Sequence, residues 1–179
     1  YDVFVFTNGN KAFAYCFEWE EKKRDINAVD NQGREIKWLS MADFESHLYV
    51  ASQYGVHFSH SADIFTWNDT VDGIEDSGYI DFSKRVTAVK AFSTGLFIFT
   101  ETDCSHLNTT PNDTANARLQ TVAMNGCFSF ESIVNHDIYL FFYDDNQKGV
   151  FYIQMTDTGQ TRPVGSVTKE VQSFFNNNV

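Results

Sequence analysis

Short apolar runs of strand length, each broken by a polar turn, recur along the chain. Asp2-Val3-Phe4-Val5-Phe6-Thr7 leads through Asn8-Gly9-Asn10 into Ala12-Phe13-Ala14-Tyr15-Cys16-Phe17, and Asn-Gly between two such runs predicts a β-hairpin. Leu48-Tyr49-Val50-Ala51 and Gly55-Val56-His57-Phe58-Ser59 flank a Ser-Gln-Tyr-Gly turn. Leu96-Phe97-Ile98-Phe99-Thr100 precedes a weaker strand at Cys104 to Leu107, and Ile138-Tyr139-Leu140-Phe141-Phe142 is joined through Asp144 to Gly149 with Val150-Phe151-Tyr152-Ile153. The openings fall near residues 2, 47, 95 and 137, and separations of roughly 45, 48 and 42 match a β-propeller blade, built from several short strands.

Further apolar runs precede three of these openings: Ile36 to Met41, Val86 to Phe92 and Phe128 to Val134. Each unit therefore reads as three strands joined by hairpins with a variable outer segment, and the first unit lacks its upstream strand. The expected fold is all-β, with about four antiparallel, propeller-like blades of roughly 45 residues over residues 1–165. Leu48 to Ala51, Leu96 to Phe99 and Ile138 to Phe141 should be the least exposed strands. A sandwich of unrelated hairpins is the alternative architecture. Over residues 166–179, Ser166 can cap a short amphipathic helix with Val167, Val171, Phe174 and Phe175 on one face, before a frayed tail.

Composition sharpens this picture in two respects. The 18 Phe, with 8 Tyr and 3 Trp, raise the aromatic fraction to 16%, which suits pleated, half-buried surfaces. The formal net charge of -11 repels phosphate and argues against a duplex-binding surface. Cys16, Cys104 and Cys127 are widely spaced and odd in number, as expected of reduced thiols rather than a disulfide framework. No apolar run approaches membrane-spanning length and no signal peptide is evident. The start at Tyr1, inside an apolar run, suggests a fragment of a longer protein.

Candidate chemistry is sparse. His57 and His60 lie three apart in a strand, so their rings point to opposite faces and do not form a metal pair. Asp144-Asp145-Asn146 lacks the Gly and Glu of a calcium loop and reads as a polar turn. Ser61-Ala62-Asp63-Ile64-Phe65-Thr66-Trp67 resembles the Asp-box turn of sialidase-like propellers, although Phe65 stands where that motif has Gly; the motif itself is structural. No nucleophile elbow, Walker loop or dinucleotide fingerprint is present. No catalytic, cofactor-binding or metal-binding residue is assigned, and no enzymatic activity is expected.

Several segments taken together resemble a known series: Gly55 to Ser59 with Asp63 and Trp67, Ile80 to Phe82, Val86 to Phe92, Leu96 to Phe99, Asn125-Gly126-Cys127 through Val134, Ile138 to Phe141, Gly149 to Tyr152, and Pro163 to Phe175. They are similar to the tail nozzle proteins of short-tailed bacteriophages, also described as packaged-DNA stabilisation or tail tubular proteins. The resemblance implies a non-enzymatic virion protein of the head-tail connector, assembled in the host cytoplasm. It implies a homo-oligomeric ring contacting other tail or connector proteins, without cofactor or membrane anchor, through whose lumen DNA passes without specific binding. An acidic lumen would favour sliding of the duplex, and Asp63, Asp69, Asp72, Glu75 and Asp76 form the densest group of candidate carboxylates. The alternatives are a carbohydrate-binding or sialidase-like propeller and a peptide-binding scaffold propeller.

Overall fold

The computed structural model describes residues 3–30, 34–67, 70–71, 74–75, 77–109, 118–156, 158–162 and 164–169. Four antiparallel sheets follow one another along the chain. The first holds β1 (Phe4–Thr7), β2 (Ala12–Tyr15) and β3 (Lys23–Ile26) in that order. The second contains β4 (Ser40–Phe44), β5 (His47–Ser52), β6 (Gly55–His60) and β7 (Asp63–Trp67); after a small pair, β8 (Thr70–Val71) and β9 (Ile74–Glu75), it is completed by β10 (Gly78–Asp81). Both β7 and β10 pair with β6, along different parts of its length. The third sheet is β11 (Val86–Phe92), β12 (Gly95–Thr100), β13 (Cys104–Leu107) and β14 (Leu119–Ala123). The fourth is β15 (Val134–His136), β16 (Tyr139–Asp144), β17 (Gly149–Gln154) and β18 (Gly165–Ser166).

Hydrophobic cores lie between successive sheets. Ala12, Ala14 and Ile26 of the first sheet pack with Leu48, Val50 and Trp67 of the second. The alternate residues of β5, Tyr49 and Ala51, pack with Val56 and Phe58 against Val89, Leu96 and Ile98 of the third sheet. Phe97, Phe99 and Cys104, on that sheet's other side, meet Leu140, Phe142, Phe151 and Ile153 of the fourth. Period-two alternation thus assigns the odd and even residues of one strand to two different interfaces. Leu48 to Ala51 and Leu96 to Phe99 are buried, and β5, β12 and β16 are each flanked by strands on both sides. In the third of the expected segments only Leu140 is fully buried; Ile138 lies in the turn before β16, and Tyr139 and Phe141 are half-buried.

Two of the upstream runs take a different form from the strands expected. Ile36 and Trp38 precede the ladder and bond instead to the first sheet, the Ile36 amide to Ala28 O at 3.0 Å and the Trp38 amide to Gly9 O at 3.0 Å. Their side chains remain buried between the sheets. Phe128 to Ile133 does not form a strand because Phe130–Ser132 closes a 3-10 turn, in which the Ser132 amide and hydroxyl both donate to Ser129 O. Of the helix expected over 166–179, Ser166 lies in β18, residues 167–169 are helical and 170–179 lie outside the described residues.

Polar ties fasten the third and fourth sheets at one end. Asp144 is buried, and its Oδ1 accepts the Asn146 and Gln147 amides at 2.8 and 3.1 Å, closing the β16–β17 turn. Its Oδ2 accepts the Asn125 side-chain amide at 3.0 Å, while the Asn146 side chain donates to Glu101 O at 2.7 Å. The Cys127 amide donates to Thr100 O at 3.0 Å, and the buried Thr87 hydroxyl donates to Cys127 O. Gly126 lets these segments approach: a Cβ there would lie 2.2–2.3 Å from backbone atoms of Glu101 and Thr102. Because backbone cannot rotate aside, Gly126→Val forces the segments apart. The variant should lose about 3 kcal/mol of stability, as over-packing does, and melt roughly 6–12 °C lower for a domain of this size. An unchanged thermal midpoint by circular dichroism would show that the contact is dispensable.

Candidate functional site

The first sheet carries an uncovered apolar face, where alternation and register place aromatics together. Phe4 pairs with Tyr15 and Phe6 with Phe13, so these four rings share one face, while Val5, Ala12 and Ala14 turn toward the second sheet. Phe17 extends the row, edge-on to Phe4 at 6.4 Å and to Tyr15 at 5.1 Å, and Phe6 stacks on Phe13 at 5.3 Å. Phe4, Phe6 and Phe17 are 50%, 48% and 69% exposed. The rings bound a shallow hollow of about 520 Å³. Strand β3 completes the face with Lys23 beside Tyr15 and Asp25 beside Phe13, the Lys23 ammonium lying 4.5 Å from the Phe13 ring centre. Contiguous exposed apolar surface of this kind marks an interaction site in a soluble protein. The sequence carries its signal, all five aromatics in one phase of a hairpin, but not which face the second sheet would cover.

Two further clefts are each lined in part by a histidine. One of about 590 Å³ is lined by Thr94, His106, Arg118, Gln120 and Gln160. His106 lies over the Phe97 ring at 4.8 Å and fills the space a side chain at Gly95 would take, and burial lowers its pKa. The other, about 540 Å³, is bordered by Asp30, Arg34, His57 and Tyr79. His57 is buried and packs on Tyr79 with ring centres 4.5 Å apart. Burial pushes its pKa from 6.5 down to about 4, against a smaller opposing pull from Asp30.

The residues singled out by sequence fall mainly into structural roles. His60 bonds to Ser61 O through Nδ1 at 3.0 Å, away from His57. Asp63 closes the turn of its Asp-box-like segment: Oδ1 accepts the Phe65 amide at 2.9 Å and Oδ2 the Thr66 hydroxyl at 2.7 Å. Trp67 donates to Ile64 O at 3.0 Å and packs edge-on to Trp38 at 5.8 Å. Of the other carboxylates considered for a lumen, Asp69, Asp72 and Asp76 lie outside the described residues, and Glu75 is described only as part of β9. All three cysteines are buried free thiols. Cys127 donates to Ser129 O at 3.0 Å, and burial raises its pKa, opposite to what an activated nucleophile needs. Among the described residues there is no cluster of three or more His, Cys, Asp or Glu placed to hold a metal, and no helix long and apolar enough to cross a membrane.

No protein-family description and no curated protein sequence matches the chain. Solved structures do. The N-terminal domain of Nup159 aligns with 96% of this chain and 43% of its own length at 13% identity, with a TM-score of 0.52. A chain of the S. cerevisiae complex of Dbp5 with Nup159, Gle1, IP6 and ADP aligns over 89% of this chain and 39% of its own length, again at 13% identity and a TM-score of 0.52. The fold is β-propeller-like. AztD from Citrobacter koseri aligns more loosely, with a TM-score of 0.40, 12% identity and coverage of 92% and 59%. The chain spans about two fifths of the length of the first two matches. At these identities the likeness defines architecture alone.

The buried imidazole of His57 makes stability sensitive to acid. Between pH 6.5 and about 4 the unfolded chain binds a proton that the folded chain refuses, so stability falls as pH falls through that window. The loss approaches about 3 kcal/mol below it. His57→Gln should make this segment of the curve shallower in urea titrations from pH 7 to 4, leaving the part that the lowered pKa of His106 contributes, while carboxylate-linked losses persist at lower pH. Parallel curves for both proteins would show that His57 keeps an ordinary pKa when folded.

Proposed function

We propose that this chain is a non-enzymatic structural module that works by assembling with protein surfaces, in the manner of the tail nozzle of short-tailed bacteriophages. The observation that carries the assembly reading is the aromatic face of the first sheet, which no described sheet covers and on which Phe4, Phe6 and Phe17 are about half or more exposed. The nozzle form draws its support from the segments between Gly55 and Phe175 that resemble that family, and from the net charge of -11, which suits a channel that conducts duplex DNA without retaining it. In this reading the module forms part of a ring between portal and tail tip. Its partners are other connector proteins, and packaged DNA passes without base or phosphate recognition.

A peptide-binding scaffold propeller is the second reading. It is favoured by likeness to the Nup159 domain, because Nup159 is found with Dbp5 and Gle1 in a matched structure.

Localisation separates the two. In phage particles encoding the chain, an antibody should label the tail region, and quantitative mass spectrometry should find the chain at a fixed ratio to the portal protein. Absence from particles would overturn the nozzle reading and leave the scaffold. Purified protein should show no binding to duplex DNA at about 150 mM salt, since too few clustered cations are present to release counterions in number. Tight, salt-sensitive binding would overturn passive conduction.

A further inference from the structure

We propose that the aromatic face of the first sheet is a self-complementary interface, occupied by the same face of a second copy of this chain related by a twofold axis. The proposal rests on reading that face as an assembly surface and names its partner. Its basis is the order of side chains on the face. Register places Phe4, Tyr15 and Lys23 in one row across β1, β2 and β3, and Phe6, Phe13 and Asp25 in the next. Each row is two rings followed by one charge, and the charges are opposite.

A twofold axis lying between two facing sheets, perpendicular to their strands and passing between the rows, exchanges the rows. Each copy's Phe4, Tyr15 and Lys23 then meet the partner subunit's Phe6, Phe13 and Asp25, and by symmetry the converse holds. Rings meet rings at the spacing of packed sheets, about 10 Å. Each exposed lysine faces a carboxylate of the partner subunit, so the face is locally neutral although the chain is strongly acidic. A like-charged pair at positions 23 and 25 would oppose this arrangement.

Fully burying an aromatic side chain removes about 150–250 Å² from water. Covering three rings that are about half or more exposed, with their neighbours, gives roughly 1,000 Å² for the pair of copies, the low end for a specific contact. The expected dimer is therefore weak and reversible, with dissociation in the micromolar range.

Sedimentation of the chain from about 1 to 100 μM should show a monomer–dimer equilibrium. The double variant Phe4→Ser with Phe6→Ser should keep its circular dichroism spectrum and remain monomeric. K23D alone and D25K alone each replace both attractive pairs with repulsive ones and should weaken association roughly tenfold at low salt. The combined variant K23D/D25K restores the reciprocal pairs and should restore dimerisation. The rescue reports a contact between position 23 of one copy and position 25 of another, the closed monomer–dimer stoichiometry reports the twofold, and neither depends on how well the serine variant folds. A wild-type chain monomeric at 100 μM, open-ended assembly instead of dimers, or failure of the combined swap to rescue would overturn the proposal. Any of these results would leave assembly with a different protein intact, which the particle localisation experiment decides separately.

Discussion

A small β-sheet has two faces, and this fold depends on how both are kept from water. A four-stranded sheet with one covered face can remain in solution only if the other face is polar, whereas a sheet stacked between two neighbours must be apolar on both. The second and third sheets meet the latter condition. In β5 and β12 nearly every residue is buried, so both phases of the strand are apolar: Leu48 and Val50 serve one interface, Tyr49 and Ala51 the next. In the first and fourth sheets burial alternates strictly along β2, β16 and β17. A strand's burial pattern therefore records its sheet's position in the stack, because a neighbour covers one phase or both.

Stacking alone sets spacing but leaves two sheets free to slide, and directional bonds at their ends remove that freedom. The Asn125–Asp144 and Asn146–Glu101 contacts join the third sheet and the segment after it to the fourth sheet's turn, and the Cys127 amide ties that segment back to Thr100. A carboxylate as deeply buried as Asp144 is tolerable because its oxygens receive three N–H donors, since an unpaired charge in that position would cost far more than its neighbours return. Gly126 belongs to the same junction, its missing side chain being the condition for the backbone approach.

Much of this was legible because strand period and turn chemistry are local. Asn8-Gly9 does close the first hairpin, with Gly9 at φ +91 and the Asn8 side chain accepting the Lys11 amide. The apolar runs at 48–51, 96–99 and 138–142 fall in or against strands flanked on both sides, and the repeat spacing leads to propeller-like sheets. Boundaries that rest on nonlocal bonds were harder to read. Ile36 to Trp38 is as apolar as a strand, yet its amides are taken by the first sheet. Phe128 to Val134 contains Ser129 and Ser132, whose local bonding tightens a turn inside an otherwise strand-like run. Which face of the first sheet is aromatic was not legible for a different reason. Its rings were visible as residues, but whether they or Val5, Ala12 and Ala14 faced the second sheet is a property of the stack.

That choice of face bears on function. Where a stacked array ends in solvent, the terminal unit needs a polar outer face to stay soluble, and edge or end sheets are commonly protected by charges pointing outward. The first sheet does the reverse. It directs small residues inward, Ala12 and Ala14 against Leu48 and Val50, and turns its large rings outward. If solubility alone shaped this sheet, exchanging the phases would bury Phe13 and Tyr15 and expose two alanines, at lower cost in exposed apolar area. An arrangement that forgoes that gain supports the proposal that this surface is covered in an assembly. Under that proposal, the opposite charges of Lys23 and Asp25 at its margin favour a partner that offers a carboxylate and a cation in the matching order, because complementary rim charges select between surfaces of similar shape.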